Sequence, residues 1–421
     1  MRILNTFTFT LFLTLTLCAT PRHVVLMQEA GAAARAGETD VVLAKLKEIA
    51  VLRPDYPRVH LNLAQYHAPA GEHEAALAAL QQLAEMGIRV NVGGNAAFDS
   101  LRELPEFQEI APRLQSGPDP IGADNVATLE LAEVTGIIES CLRDPASGAL
   151  FFGDVRNRCV WKSGPVGGAL EKFTSDDDSL NGVFRLALSA DRKTLWASSA
   201  TVGVMTGNDA EDGKRAAIVA IDFETGRVRE RYPTPDDGRK HLIGDFIFAE
   251  DGSILATDSM SPVLWRLAPG STTLETWLEL DDFVNLQGIA FSADGRTLFV
   301  ADYSNGIWRI DIATKAASLL TAPANATFFG IDGLYSVADG ILAVQNGVNP
   351  QRVLRIEPAA DGPSSARIVA CGLPAMTDLA PGHVSGDTFS FVADSGWVLF
   401  DPTPEKSPEP RSVTIVSVPV E

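Results

Sequence analysis

A chain of 421 residues exceeds the size at which one hydrophobic core keeps growing, so two folding units are expected. Its formal net charge of −20 argues against sequence-independent binding to nucleic acid or to anionic lipid, since both need clustered Lys and Arg.

The chain opens MRILNTFTFTLFLTLTLCATP, one basic residue followed by an apolar run from Phe7 to Leu17. The run is too short to span a bilayer and closes on small residues, which predicts a secretory signal over residues 1–20. A periplasmic or secreted protein follows, with no membrane attachment after signal removal. Cys141, Cys159 and Cys371 then remain, and this sparse, odd set is no disulfide framework. No CxxC or HxxxH pair offers a zinc site.

From residue 24 to 115 the apolar period is helical. Gly37-Glu38 recurs as Gly71-Glu72, Leu43 as Leu77, Leu46 as Leu80 and Ile49 as Leu83, each 34 residues on. That spacing resembles two tetratricopeptide repeats, with Pro54 ending the first and a closing helix starting at Pro105. Such a helical domain is either a groove for a protein partner or a packing appendage. Ser116 to Gly122 reads as a Gly/Pro linker.

From residue 123 to 421 the period is two. The clearest unit is Gln287 to Ile312. Apolar runs at Gly288–Ser292 and Thr297–Ala301 flank the turn Ala293-Asp294-Gly295. The turn Asp302–Gly306 leads into an alternating strand, Ile307–Ile312. This predicts an antiparallel meander. The first turn recurs at Asp144–Gly148, Ala190–Arg192, Glu250–Gly252, Ala338–Gly340 and Ser385–Asp387, each followed by apolar residues. Six units spaced about 45 residues apart match the four-stranded blade repeat. Thr201 to Lys214 is an insertion without periodicity. Leu129–Val134 and Arg411–Val420 have no local partner, and pairing them in one blade would close a ring and remove a sheet edge. The expected fold is mostly β, a six-bladed β-propeller with a small N-terminal α-helical domain.

Aligning each unit to Gln287 gives the inner-strand starts Glu139, Phe184, Gly244, Gln287, Asp332 and Thr377, with Asp245 and Asp378 one step on. Second-strand ends supply Asp154, Ser198, Asp258, Asp302, Asn346 and Asp394. Calcium and similar hard cations take carboxylate and amide oxygens, which makes Glu139, Gln287 and Asp332 candidate metal ligands at one mouth. The aspartates at strand ends read more simply as turn caps that accept backbone N–H groups. Asp245 and His241 are candidate proton carriers there, and His383 lies in the sixth loop. No nucleophile elbow or phosphate loop occurs.

These residues resemble the senescence marker protein/gluconolactonase family of six-bladed propellers, within the superfamily of paraoxonases and strictosidine synthase. Glu139-Ser140 with Gly148–Asp154 is similar to the family's GES…LYFVD. Ile331–Leu334 is similar to its DG(M/L), and QGIAFSADGRTLFVADY to its NGLxWSxDGxTLYxxDS. The resemblance covers about Ile137 to Pro402. It implies that Glu139 and Asp332 hold a divalent cation, often calcium, and that the activity is hydrolysis of lactones or related esters. Two family positions differ: an Asn is Gln287 here, and another Asn is Gly244. The alternative reading is a non-catalytic propeller that binds a small molecule or peptide at its mouth and a protein on its helical repeats.

Overall fold

The computed structural model describes residues 20–207, 216–400 and 409–420. The expected signal segment lies outside the described residues apart from its last position, as does the second half of the Thr201–Lys214 insertion. No helix among the described residues is long and apolar enough to cross a membrane.

The N-terminal region is helical. Helices α1 (Arg22–Ala36) and α2 (Thr39–Leu52) form one antiparallel pair, and α3 (Pro57–His67) and α4 (His73–Glu85) form the next. The turns between partners hold Gly37 and Gly71 at φ +76° and +78°, a left-handed conformation that a side chain resists. This is the physical content of the 34-residue recurrence. Prolines open α3 and α5 (Pro105–Ser116), where a missing N–H costs nothing. Leu26, Leu46, Val59, Leu80, Phe98 and Leu114 are among the buried side chains of a separate core.

The rest is β-sheet of propeller type. Four sheets are four-stranded meanders in sequence order. One sheet has eight strands. It joins the meander from Ile138–Arg143 to Gly167–Lys172 with a second group formed by Ala127–Val134, Arg411–Pro419, Thr388–Val392 and Ala380–Ser385. A single parallel bridge, Leu131↔Gly168, makes that junction. The first and last strands pair antiparallel, Ala127↔Ser417 to Val134↔Arg411, as their lack of local partners predicted. First strands of successive meanders are neighbours, and Ala380–Ser385 neighbours Ile138–Arg143.

Asp154, Asp258 and Asp302 end second strands and are fully buried. Each caps the turn that follows and receives an indole N–H, from Trp161, Trp265 and Trp308 in turn. Asp302 accepts Val284 N, Asn285 N and Ser304 N at 2.9, 3.1 and 3.2 Å. Asp302→Ala strands these donors without water, and unfolding in urea is expected to lose about 3 kcal/mol of stability. An unchanged midpoint would show that the cap is dispensable.

The helices dock on one end of the β region. Tyr56 stacks on Phe329 at 4.2 Å and 4°. Arg53 Nη1 donates to Asn305 O and Oδ1 at 2.6 Å each. Arg352, 1% exposed, donates from Nε to Gln345 Oε1 at 2.6 Å and from Nη1 to Met86 O at 2.8 Å.

Candidate functional site

Every first strand carries a β-bulge near its start. The register breaks between Ile138 and Ser140, Val183 and Leu186, Ile243 and Phe246, Leu286 and Ile289, Ile331 and Gly333, and Ala380 and Gly382. The residues inside those breaks include Glu139, Arg185, Asp245, Gln287, Asp332 and Pro381. A bulge leaves its extra residue unpaired and re-aims the side chain. All six line one cavity of about 230 Å³. The sixth start is therefore Pro381; Thr377, four residues earlier, lies before the strand and is not among the lining residues.

The cavity collects Glu139, Gln287, Asp332 and Asp245 as the sequence alignment expected. It does not collect His241, whose side chain is fully buried. His241 Nδ1 meets Asp258 Oδ2 at 2.6 Å and Nε2 meets Asp237 Oδ1 at 3.0 Å. Burial opposes its charge, but the two carboxylates prevail and raise its pKa. A histidine held between two aspartates fixes a turn. His383 is also absent from the cavity lining; burial and two nearby arginines push it down to about 4, so it stays neutral.

Electrostatics at the mouth is dominated by crowded acids. Burial pushes Glu139 well above the usual carboxylate range, and Asp332 and Asp378 add to the shift. The Trp397 indole, which donates to Glu139 Oε2, opposes it. Burial, Asp245 and Asp378 raise Asp332 to about 6 against the opposing bond from Asn346. Asp245 is raised by burial and opposed by Arg185, whose Nε lies 2.9 Å from its Oδ1. Arg185 also donates to Gly382 O and lies with Cζ 5.1 Å from the Tyr335 ring centroid. Nothing in the spacing of Arg185 marks it out, because only the bulge turns it inward.

Among the described residues no three His, Cys, Asp or Glu side chains group closely enough to hold a metal ion. The oxygen-bearing side chains at the mouth include three carboxylates, Glu139, Asp245 and Asp332, and two amides, Gln287 and Asn346. Asn346 Nδ2 donates to Asp332 Oδ2 at 2.7 Å and to Leu379 O at 3.0 Å, which fixes the amide orientation. Its Oδ1 is buried without a hydrogen-bond partner. Gln287 Nε2 donates to Asn285 Oδ1 at 2.6 Å, and its Oε1 accepts from Ser259 at 3.2 Å. Oxygen-only donors, an orphaned acceptor and mutually repelling carboxylates fit a hard cation such as calcium.

A family model described as SMP-30/gluconolactonase/LRE-like region matches residues 137–378, more than half of the chain. The chain belongs to this SMP-30/gluconolactonase-like family. No curated protein matches it. Among solved structures it is similar to a luciferin-regenerating enzyme at 15% identity and TM-score 0.47, covering 69% of this chain and 95% of that one. A streptogramin B lyase is similar at 16% identity and TM-score 0.46, over 65% and 83%. The PQQ-bound aldose sugar dehydrogenase of Streptomyces coelicolor is similar at 13% and 0.45, over 71% and 99%.

Within the family pattern, the two departures touch each other. A Cβ on Gly244 would stand 2.9 Å from Gln287 Oε1 and 2.7 Å from Ser259 Oγ. The longer Gln287 side chain uses the room that Gly244 leaves.

The raised acids give a pH dependence. Between the unfolded value near 3.8 and the folded value of about 6, Asp332 holds more proton in the folded state. Folding is thus favoured below that window, and the contribution is lost as pH rises through it. In cation-free buffer, Asp332→Asn is expected to flatten this part of the stability profile. At pH 7 the gain over wild type is about 3 kcal/mol. Parallel urea titrations from pH 4 to 8 check the difference; parallel profiles would exclude the repulsion.

Proposed function

We propose that this is an exported hydrolase of lactones or related esters, built as a closed six-bladed propeller whose eight-stranded sheet counts as two blades. Tetratricopeptide-like helical hairpins stand beside its mouth. The observation that carries the reading is the meeting of Glu139, Asp332, Gln287 and the unpartnered Asn346 oxygen in one cavity. Those four residues would hold a divalent cation, calcium by donor type. Such a cation supplies Lewis-acid polarisation of a carbonyl oxygen when bound.

The chain's own residues supply the rest. Among the described residues Asp245 Oδ2 accepts only a long 3.4 Å bond from Ile289 N, which leaves it able to take a proton from water. Water oxygen then bonds to the acyl carbon, the acyl C–O bond breaks, and the proton passes to the departing alkoxide. The product is a hydroxy acid. Arg185 holds the Asp245 carboxylate in place through Oδ1. Trp397 and Tyr303 enclose the cavity and limit water around the reacting carbonyl.

A panel of γ- and δ-lactones and aryl esters tests this, run with calcium and with a chelator. Turnover is expected only with calcium, and Glu139→Gln is expected to lower kcat/KM by about 1000-fold. Turnover unchanged in Glu139→Gln places the chemistry elsewhere. Saturable lactone binding without turnover makes the protein a binding propeller.

A further inference from the structure

Tyr303 lines the mouth on one side and a second cavity, of about 570 Å³, on the other. The second cavity lies between the helical region and the β loops. Tyr56, Leu61 and Ile88 come from the helices and their connections, and Phe329 and Val348 from the β region. The stacked Tyr56–Phe329 pair ties the two walls together. Arg53 Cζ, 4.3 Å from the Phe329 ring centroid, reinforces the tie.

The charges of the two cavities are opposite. Arg58 and Arg89 line the second, and no Asp or Glu does. Glu139, Asp245 and Asp332 line the mouth together with one arginine, Arg185, which is paired to Asp245. A purely cationic lining stands out on a protein of net charge −20. Arg58 and Arg89 are exposed and are not engaged in an ion pair among the described residues.

We propose that the helical region builds a second subsite for the same small molecule, taking an alkyl or aryl stem that ends in a carboxylate or similar anion. The inference rests on the reading of the mouth as the reacting centre. The stem loses water against Tyr56, Ile88 and Val348. The anion pairs with Arg58 and Arg89 at the rim. With the anion held at the rim, the ligand has one orientation, its carbonyl end toward Tyr303 and the mouth. The fused helices thus select among esters: a substrate with only a short neutral substituent leaves this subsite unused.

Calorimetric titration of the purified full protein with phenylhexanoate and with its uncharged amide tests the subsite without any turnover. The carboxylate is expected to bind more tightly than the amide. The double variant Arg58→Gln/Arg89→Gln is expected to weaken the carboxylate about tenfold and leave the amide unchanged. Asp332→Asn, at the mouth, is expected to leave the ratio of carboxylate to amide affinity above one. Equal affinity for the two probes, or a carboxylate affinity indifferent to both arginines, overturns the proposal. If no lactone is hydrolysed but arginine-dependent binding persists, the subsite stands and the catalytic reading of the mouth falls. If lactones are hydrolysed but the probe ignores the arginines, the reverse holds.

Discussion

Calcium titrated into metal-free protein is expected to give saturable heat that Asp332→Ala removes, with affinity falling by about 100-fold or more. Asp332 is the residue on which the mouth converges. Its Oδ2 orients Asn346 through a 2.7 Å bond, and Asn346 in turn presents a buried oxygen with no partner. Truncating Asp332 removes one carboxylate and frees the amide that presents the other oxygen. The wild-type heat also varies with the ionisation enthalpy of the buffer near pH 6. Asp332, raised to about 6, is then partly protonated and must release its proton to a cation. Thermal melting supplies a second readout: calcium at a hundredfold excess over Kd stabilises the folded state by about 2.7 kcal/mol. Asp332→Ala is expected to show no such shift. Wild-type protein with neither heat nor shift ends the cation reading, whatever the activity.

Arg352→Leu is expected to destabilise the protein by about 3 kcal/mol in urea, a loss in the range of a core truncation. The guanidinium is 1% exposed, and burial lowers its pKa to about 10. It persists there because it joins the two regions, donating to Gln345 Oε1 at 2.6 Å and to Met86 O at 2.8 Å. Leucine fills part of the volume but leaves both acceptors buried without a donor. The linker between the regions is expected to become more susceptible to protease at the same time, because the helices lose a main anchor. A variant with wild-type stability and wild-type cleavage would show that Tyr56–Phe329 stacking and Arg53 alone hold the helices in place.

Much of this was readable in one dimension. The 34-residue recurrence marked helical hairpins because a left-handed glycine turn is a local requirement, met at Gly37 and Gly71. The Asp-containing hairpin turns marked the meanders for the same reason: side-chain oxygens capping backbone N–H groups act within a few residues. Pairing of Ala127–Val134 with Arg411–Pro419 followed by elimination, since an unpaired strand edge is costly. Glu139, Gln287 and Asp332 were aligned correctly because each sits at the same step of the repeat.

The misplacements share a cause. Thr377 was aligned where Pro381 belongs, because the sixth unit has a longer approach and the bulge that defines the step cannot be seen in a sequence. His241 looked available three residues before a strand start. The fold instead folds it back between Asp258 and Asp237, a choice made by contacts across 17 and four residues. Arg185 carried no signal, since an arginine in an alternating strand reads as solvent-facing until a bulge turns it to the axis.

The sequence by itself determined the kinds of element, their order, the repeat and the oxygen donors offered at each step, because these depend on local propensity and period. Only the tertiary structure decided which donors meet. Bulges turned six residues inward, Gln287 took the room left by Gly244, and Asn346 was left with an oxygen that nothing in the described chain satisfies. It also set Tyr303 between two cavities of opposite charge, a juxtaposition made by packing the helices onto the β loops. Residues so far apart in the chain can be brought together by no local rule, only by burial of a shared surface.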